Sequence, residues 1–208
     1  MLGFVLSKMN LLILVTSIFA IVSFFALSLN DITKSKESSE LVTRVKEKVQ
    51  NVAMSSTFCD STTYFFPQDI RTARGKFYYV VKISSADVKV NNKTLKTMIF
   101  SVYQRDEIKK EFSSIEFKAK AISADSFRTD AEIKLYNTDY LGSAYSGSIS
   151  EKNEIFIDPQ AENPINAITI IKEIKDGQKK IYVIACESAL CEPTKEQVKE
   201  LKGSEFNC

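Results

Sequence analysis

The stretch MNLLILVTSIFAIVSFFALSLN, residues 9–30, carries no charged side chain and leads directly into the polar run DITKSKESSE. About 20 apolar residues, rising about 1.5 Å each in an α-helix, match the ~30 Å hydrocarbon core of a bilayer. Hydroxyl side chains within such a helix can bond to its own carbonyls, so a membrane tolerates them. Here they are Thr16, Ser17, Ser23 and Ser28. We therefore predict a transmembrane anchor over residues 1–30.

A cleaved export signal is the alternative for this segment. Lys8 would supply the basic start of such a signal, and Ala26-Leu27-Ser28 has the small-x-small pattern of a cleavage site. The apolar run is longer than the roughly 7–15 residues that are usual in signal peptides. Its length favours an anchor that stays attached.

The segment after the anchor is amphipathic. Residues 31–56 contain neither Gly nor Pro, and apolar residues recur at steps of three and four, which places them on one face of a helix. We predict an amphipathic stalk helix over residues 31–57, continuous with the anchor from about residue 9 to 56, so that the rod is roughly 70 Å long. The apolar face consists of Leu41, Val42, Val45, Val49, Val52 and Ala53, and the opposite face of Lys36, Glu40, Arg44, Glu47 and Lys48.

The centre of that apolar face, here called the stalk stripe, consists of Leu41, Val45, Val49 and Val52. Such a stripe must be buried against a partner. The partner is either the later domain of the same chain or other copies of the rod, in which case the stripe is an assembly surface.

From residue 58 onward the apolar period changes from that of a helix to that of a strand. In KFYYVVKIS (76–84), Phe77, Tyr79, Val81 and Ile83 share one face. In AITIIKEIKDGQKKIYVIAC (167–186), Asp176-Gly177 separates two β-rich runs, which is a type I′ hairpin signature. Further strands are predicted at 116–123, at 131–136, at 154–158, and on both sides of Asn91-Asn92 within 87–103.

Seven or eight short strands separated by turn residues predict an antiparallel, sandwich-like domain over residues 58–208. The run EPTKEQVKELKG (192–203) predicts a short C-terminal helix, because Thr194 and Gln197 can form a capping box and Gly203 can end it. The predicted fold class is therefore α+β: a long N-terminal helix, an antiparallel β-rich domain and a short C-terminal helix.

Four cysteines lie at the ends of predicted elements: Cys59, Cys186, Cys191 and Cys208. An even number fits two disulfides in an exported domain, with three possible connectivities. We expect Cys186–Cys191 to close a tight loop and Cys59–Cys208 to tie the C-terminus to the base of the rod. A four-thiolate metal site lacks the usual CxxC pairs, and reduced, buried cysteines in a cytosolic domain are the remaining alternative.

Two further patterns concern the compartment. Asn92-Lys93-Thr94 is a glycosylation sequon in a predicted turn, so Asn92 is a candidate modification site in an exported chain. The basic residues after the anchor outnumber Lys8 before it, which by the positive-inside rule would place the domain in the cytoplasm. Because long domains translocate largely regardless of such charges, we predict a single-pass protein of the cytoplasmic membrane with an extracytoplasmic C-terminal domain.

Composition excludes several classes of function. The net charge of +2 gives no basic footprint for nucleic acid, and the absence of histidine removes Ser-His-Asp and Cys-His catalysis. Gly142 and Gly147 are spaced as in a phosphate loop but lack its lysine. The weaker candidates are a basic and aromatic cluster of Arg71, Arg74, Lys76, Tyr78 and Tyr79, the acids Asp125, Asp130 and Asp139, and an unmarked Ser–Lys pair. We predict no enzyme activity and no cofactor.

The order of these elements resembles that of type IV pilin-like proteins: an apolar N-terminal helix, its amphipathic extension and a β-rich head closed by a C-terminal disulfide. Gly3-Phe4 matches the junction at which leaders of that family are cut. The leader here is only Met-Leu-Gly, and Lys8 stands at the fifth mature position, where the family usually has glutamate. The resemblance implies processing after Gly3, bundling of the apolar helix in a filament and heads that face outward.

Taken together, the sequence predicts a membrane-anchored cell-surface protein with a structural or interaction role, and a pilin-like subunit is one form of it. The alternative is a membrane-tethered binding module for an envelope glycan, peptide or protein. The expected partners are membrane lipid and either other copies of the chain or another envelope protein.

Overall fold

The computed structural model describes residues 2–72, 75–90, 93–111, 114–117, 120–138, 149–162, 164–175, 177–187 and 191. One long helix, α1 (Leu2–Met54), precedes a domain built from strands, so the predicted α+β class is confirmed. The helix runs without a break across the predicted boundary between anchor and stalk. It begins before the predicted residue 9 and ends two residues before the predicted residue 56.

The strands that follow the helix are β1 (Cys59–Phe65), β2 (Ile70–Thr72), β3 (Gly75–Phe77), β4 (Tyr79–Val90), β5 (Lys93–Gln104), β6 (Ile108–Glu111), β7 (Ser114–Phe117), β8 (Ser123–Thr129), β9 (Glu132–Thr138), β10 (Ile149–Lys152), β11 (Glu154–Ile157), β12 (Ala167–Lys175) and β13 (Gln178–Cys186). A 3-10 turn, Arg105–Glu107, lies between β5 and β6. The described residues from 58 onward are called the head below.

Two larger sheets and two hairpins make up the head. The five-stranded sheet has the order β1-β12-β13-β9-β10, and the four-stranded sheet has the order β11-β4-β5-β8. The two hairpins that form separate two-stranded sheets are β2–β3 and β6–β7. Pairing is antiparallel throughout except between β13 and β9, which run parallel in the middle of the five-stranded sheet. The prediction of an antiparallel β-rich domain therefore holds with one exception. Between β9 and β13 the chain passes through β11 of the other sheet, so it can return parallel to β9.

The hairpin predicted around Asp176-Gly177 is present. Strands β12 and β13 pair up to Lys175 and Gln178, which leaves a two-residue turn, and Gly177 has a φ of 74°. Glycine adopts a positive φ without the steric cost that a Cβ imposes. The strands predicted around Asn91-Asn92 are also present as β4 and β5, paired from Tyr79 with Gln104 to Val90 with Lys93.

Two predicted strands are divided in the structure. The predicted strand 76–84 is interrupted at Tyr78, between β3 and β4. Residues 116–123 do not form one strand: β7 ends at Phe117, residues 120–122 lie in no strand, and β8 begins at Ser123. The amide of Ile122 donates to the carbonyl of Val102 at 2.8 Å, after which β8 pairs with β5 from Ser123 onward. Pairing with β5 therefore sets the start of β8, in spite of the local alternation of Phe, Lys and Ala.

A single main core joins the helix to both sheets. It contains Val45 and Val49 of α1 together with alternate residues of β4, β5, β9, β12 and β13. The helix is thus part of the head's core from Leu41 to Ala53. The predicted C-terminal helix at 192–203 and the loop with Gly142 and Gly147 lie outside the described residues.

Candidate functional site: one helix with an exposed half and a packed half

The first half of α1, residues 9–29, is apolar and exposed around its whole circumference and is called the apolar half here. The exposed fraction of its large apolar side chains is lowest at Val15, at 42%, and highest at Phe24, at 69%. By length and composition this helix can cross a membrane, and no residue of its most apolar window is buried. The sequence prediction of a membrane-length apolar helix is confirmed in this form.

Polar groups within the apolar half bond to the helix itself. The hydroxyl of Thr16 donates to the carbonyl of Leu12 at 2.9 Å, and that of Ser17 donates to the carbonyl of Ile13 at 2.7 Å. In hydrocarbon an unpaired hydroxyl would cost several kcal/mol, about 4–8 on a cyclohexane scale. These two bonds make both side chains compatible with lipid.

The second half of α1, from Ser38 to Ala53, is called the packed half, because its apolar face is covered by the head. All four residues of the stalk stripe are buried, Val45 and Val49 completely. They belong to the same core cluster as both sheets. The sequence left two partners open for this stripe, and the partner found is the chain's own domain. The stripe Leu41, Val45, Val49 and Val52 is therefore not available as an assembly surface in this structure.

Two lysines join the packed half to the sheets by polar contacts. The ammonium group of Lys46 donates to a carboxylate oxygen of Asp125 on β8, and this contact lowers the pKa of Asp125. On β12, Lys172 is almost completely buried. Its ammonium group donates to the carbonyl and the hydroxyl of Ser55, the latter at 3.2 Å, and to the carbonyl of Thr57 at 2.9 Å.

Lys172 thus binds the segment that directly follows α1, which ends at Met54. The C-terminal end of a helix carries partial negative charge, so a cation close to it is favourable. Burial lowers the pKa of this lysine, and Lys179 acts in the same direction. Sequence reasoning missed this role, although Lys172 follows Ile168 and Ile170 in the alternation of a buried strand face.

At the other end of the head, the β2–β3 hairpin contacts the helix near the apolar half. The Nζ atom of Lys34 lies 5.5 Å from the ring centroid of Phe77, a cation–π distance. Ile70 and Phe77 pair across the hairpin and are both buried. Their neighbours Arg71 and Lys76 pair on the opposite face and are exposed, and Lys76 lies 3.0 Å from a carboxylate oxygen of Asp69. The hairpin therefore has an apolar face on the helix and a cationic face outward.

The cysteines are disulfide-bonded wherever the structure describes them. Cys186 and Cys191 are joined by a bond of 1.99 Å and lie 5.1 Å apart between Cα atoms, which is the short loop expected from the sequence. Cys59 is also disulfide-bonded. Its predicted partner Cys208 lies outside the described residues. The alternatives of a thiolate metal site and of free thiols therefore do not apply to Cys59, Cys186 or Cys191.

Of the weaker candidates from the sequence, a Ser–Lys pair is present as the contact between Lys172 and Ser55 described above. The other candidates do not come together. Asp125 pairs with Lys46, and Asp130 lies 3.9 Å from Lys179. Asn92, Arg74 and Asp139 lie outside the described residues, as does the glycine loop. Tyr79 is buried, its hydroxyl donates to the carbonyl of Pro67 at 2.5 Å, and burial raises its pKa. Among the described residues, no three His, Cys, Asp or Glu side chains are grouped as a metal site would need.

An open groove of about 940 Å³ runs along the exposed face of α1 from Ser28 to Glu47. Its described lining mixes hydroxyl groups with side chains of both charges, all from this one helix.

No protein-family model matches the chain, and the searches of curated proteins and of solved structures found no match either.

Proposed function

We propose that this chain is a single-pass protein of the cytoplasmic membrane that holds its head outside the cytoplasm and works through packing and surface contacts, without catalysis. The observation that carries the proposal is that the apolar half of α1 is exposed on all sides, while the same helix continues into the core of the head. Burying one large apolar side chain is worth about 1.5–3 kcal/mol, so a segment of this length favours lipid or neighbouring apolar helices over water.

The disulfides support the location of the head. Structural disulfides persist in oxidising compartments and are rare in the cytosol. Cys186–Cys191 and the bonded Cys59 lie in the head, on the far side of the apolar half from the N-terminus. These bonds therefore support an extracytoplasmic location of the head.

A pilin-like subunit is the specific form of this proposal. Its support is the division of one unbroken helix into a bare half and a half packed in a β-rich head. In such an assembly the apolar halves of neighbouring copies would cover one another. Lys8 stands where the family usually has glutamate, so a pairing of that position with a neighbour's amino terminus is not part of the proposal.

The second candidate is a monomeric, membrane-tethered binding module. The burial of the stalk stripe under the chain's own head favours it. With Val45 and Val49 covered, the apolar half is the large apolar surface that remains for self-association among the described residues. In this candidate lipid alone covers the apolar half.

The first experiment tests attachment and sidedness together. Membranes from expressing cells are washed with carbonate at high pH, and an impermeant maleimide is applied to intact cells with and without a reductant. We expect the protein to resist the wash and its cysteines to label from outside only after reduction. Extraction by carbonate would overturn the anchor, and labelling only after lysis would overturn the extracytoplasmic head.

The second experiment separates the two forms. A Phe19→Cys substitution places a thiol in the middle of the apolar half, and Phe58→Cys, on the exposed end of the head, is the matched control. Mild oxidation of native membranes should give disulfide-linked dimers of Phe19→Cys if apolar halves pack together. If the protein is a monomeric module, both variants should stay monomeric.

A further inference from the structure

We propose that the β2–β3 hairpin is a membrane-contact surface, in which Arg71 and Lys76 bind the phosphate groups of lipids while Ile70 and Phe77 hold the hairpin on the helix. This inference rests on the proposed anchor, since it requires the apolar half to lie in a bilayer. It assigns a partner to a part of the head that the anchor alone does not explain.

Position along the helix is the first argument. Leu29 is the last residue of the uncharged apolar run, and Lys34 follows five residues later. This separation is about 7.5 Å along a helix, close to the ~5–7 Å thickness of the headgroup layer on each side of a bilayer. Side chains on a helix lean toward its N-terminus. The Lys34 side chain therefore leaves its backbone toward the bilayer, and its ammonium group lies 5.5 Å from the ring centroid of Phe77.

The hairpin is also the contact nearest to the membrane among those described between α1 and the head. Asp125 of β8 pairs with Lys46, and Lys172 of β12 binds Ser55. Lys34 precedes Lys46 by 12 residues, which is about 18 Å along the helix axis. The contacts that Asp125 and Lys172 make with the helix and the segment after it therefore lie further from the bilayer than the contact of the hairpin does.

Chemistry supplies the third argument. Among the three residue pairs of the hairpin, Arg71 stands opposite Lys76, and both are exposed. Arg and Lys have long side chains that keep a charged end group in the headgroup layer, and guanidinium binds phosphate through two parallel hydrogen bonds. Lys36 adds an exposed cation at the same level of the helix. The acids at this level are Asp31 and Glu37 on the helix and Asp69, which pairs with Lys76.

Because the chain has no tryptophan, one introduced tryptophan reports on a single position. Tyr78 adjoins Phe77 and is 40% exposed, so Tyr78→Trp places the reporter at the hairpin. Phe58→Trp is the control, since Phe58 is 78% exposed and follows the far end of the helix. The 20 residues from Lys34 to Met54 put this control about 30 Å further from the bilayer.

The full chain carrying each tryptophan is reconstituted into phosphatidylcholine vesicles in which some lipids bear a nitroxide on the choline headgroup. We expect about threefold more quenching of Tyr78→Trp than of Phe58→Trp, because the nitroxide acts only over the thickness of the headgroup layer. Equal quenching at the two positions would overturn the membrane contact.

The phosphate contact is tested in the Tyr78→Trp background. Arg71→Glu should reduce quenching by about half, since like charges now face each other at the lipid phosphates. Lys175→Glu, an equal change of charge at the exposed end of β12, should leave the quenching unchanged. Quenching that is indifferent to Arg71→Glu would overturn the role of the cations.

Flotation of the same vesicles separates this inference from the proposed function. If the protein does not float with the lipid, the anchor has failed and the hairpin contact fails with it. If it floats and Tyr78→Trp is not quenched, the anchor stands and only the hairpin contact is overturned.

Discussion

The two halves of α1 belong to one unbroken helix but are adapted to different surroundings. Residues 9–29 present apolar side chains on all sides, whereas residues 38–53 present them on one face and bury them in the head. A helix that is apolar all round needs a surrounding that is apolar all round, and an amphipathic helix needs one packed face. The comparison shows that the change in pattern at residue 30, without a break in the helix, precedes the part of the helix that contacts the head, from Lys34 onward.

Stability in the two halves therefore has different origins. Packing against the chain's own sheets stabilises the packed half, so mutations there change the free energy of unfolding of the head. The apolar half contributes little to that free energy, because its side chains lie outside the head. The following predictions compare the halves in the full chain in a non-ionic detergent, with urea unfolding followed by the near-UV circular dichroism of the tyrosines.

The largest effect is expected from Val45→Glu. This substitution places an unpaired carboxylate where Val45 is completely buried, so the free energy of unfolding should fall by about 4 kcal/mol or more. Lys48→Glu, on the exposed face of the same helix, is the control and should change it by less than about 0.5 kcal/mol. A native head that merely changes its oligomeric state would show that the stripe serves assembly.

A matched pair of leucines tests the comparison directly. Leu41 is 6% exposed and Leu12 is 66% exposed. Leu41→Ala should lower the free energy of unfolding of the head by about 2–4 kcal/mol, because it leaves a cavity in the core. Leu12→Ala should change it by less than about 0.5 kcal/mol. Equal losses in the two variants would mean that the head also depends on packing by the apolar half.

Lys172→Met tests the contact at the end of the helix. The methionine can occupy the space of the lysine stem, but it leaves the carbonyls of Ser55 and Thr57 without their donor. The expected loss is about 1–3 kcal/mol. Lys175→Met, three residues later on the same strand and exposed, should have little effect. A stability equal to that of the native chain would show that the cost of burying the charge cancels the hydrogen bonds.

Local patterns could be predicted from the sequence because they depend on neighbouring residues. The turn at Gly177 and the alternation of Phe77, Tyr79, Val81 and Ile83 are of this kind. The partner of the stalk stripe could not be predicted, since Val45 and Val49 show the same spacing whether they pack on their own head or on another copy. The parallel pairing of β13 with β9 could not be predicted either, because the local sequence of a strand does not determine which distant strand pairs with it.

The polar contacts of the candidate site show the same limit. In the sequence, nothing distinguishes Lys172 from a lysine on a half-exposed strand. Only the tertiary structure brings it to the carbonyl of Thr57, just after the end of α1. Phe77 was predicted as part of a strand face, but its contact with Lys34 joins positions far apart in the sequence. The sequence therefore identified the helix that carries the proposed function, while tertiary structure was needed to find what holds the head to it.

The smallest effect concerns the ion pair between the packed half and β8. The hydrogen bond from Lys46 lowers the pKa of Asp125 below its ordinary value of 3.8. A carboxyl whose pKa is lower in the folded state stabilises the protein above its unfolded pKa, and this contribution is lost as the pH falls through the folded pKa. Asp125 is 35% exposed, so solvent screening limits the pair to about 0.5 kcal/mol.

Asp125→Asn should therefore lower the free energy of unfolding slightly at pH 7, and the difference from the native chain should disappear well below pH 3.8. Comparison with Lys46→Met and with the double variant isolates the coupling between the two side chains. High salt should reduce that coupling at neutral pH, since both groups are in contact with solvent. A difference that persists unchanged at low pH would show that the effect of Asp125→Asn does not depend on the charge of Asp125.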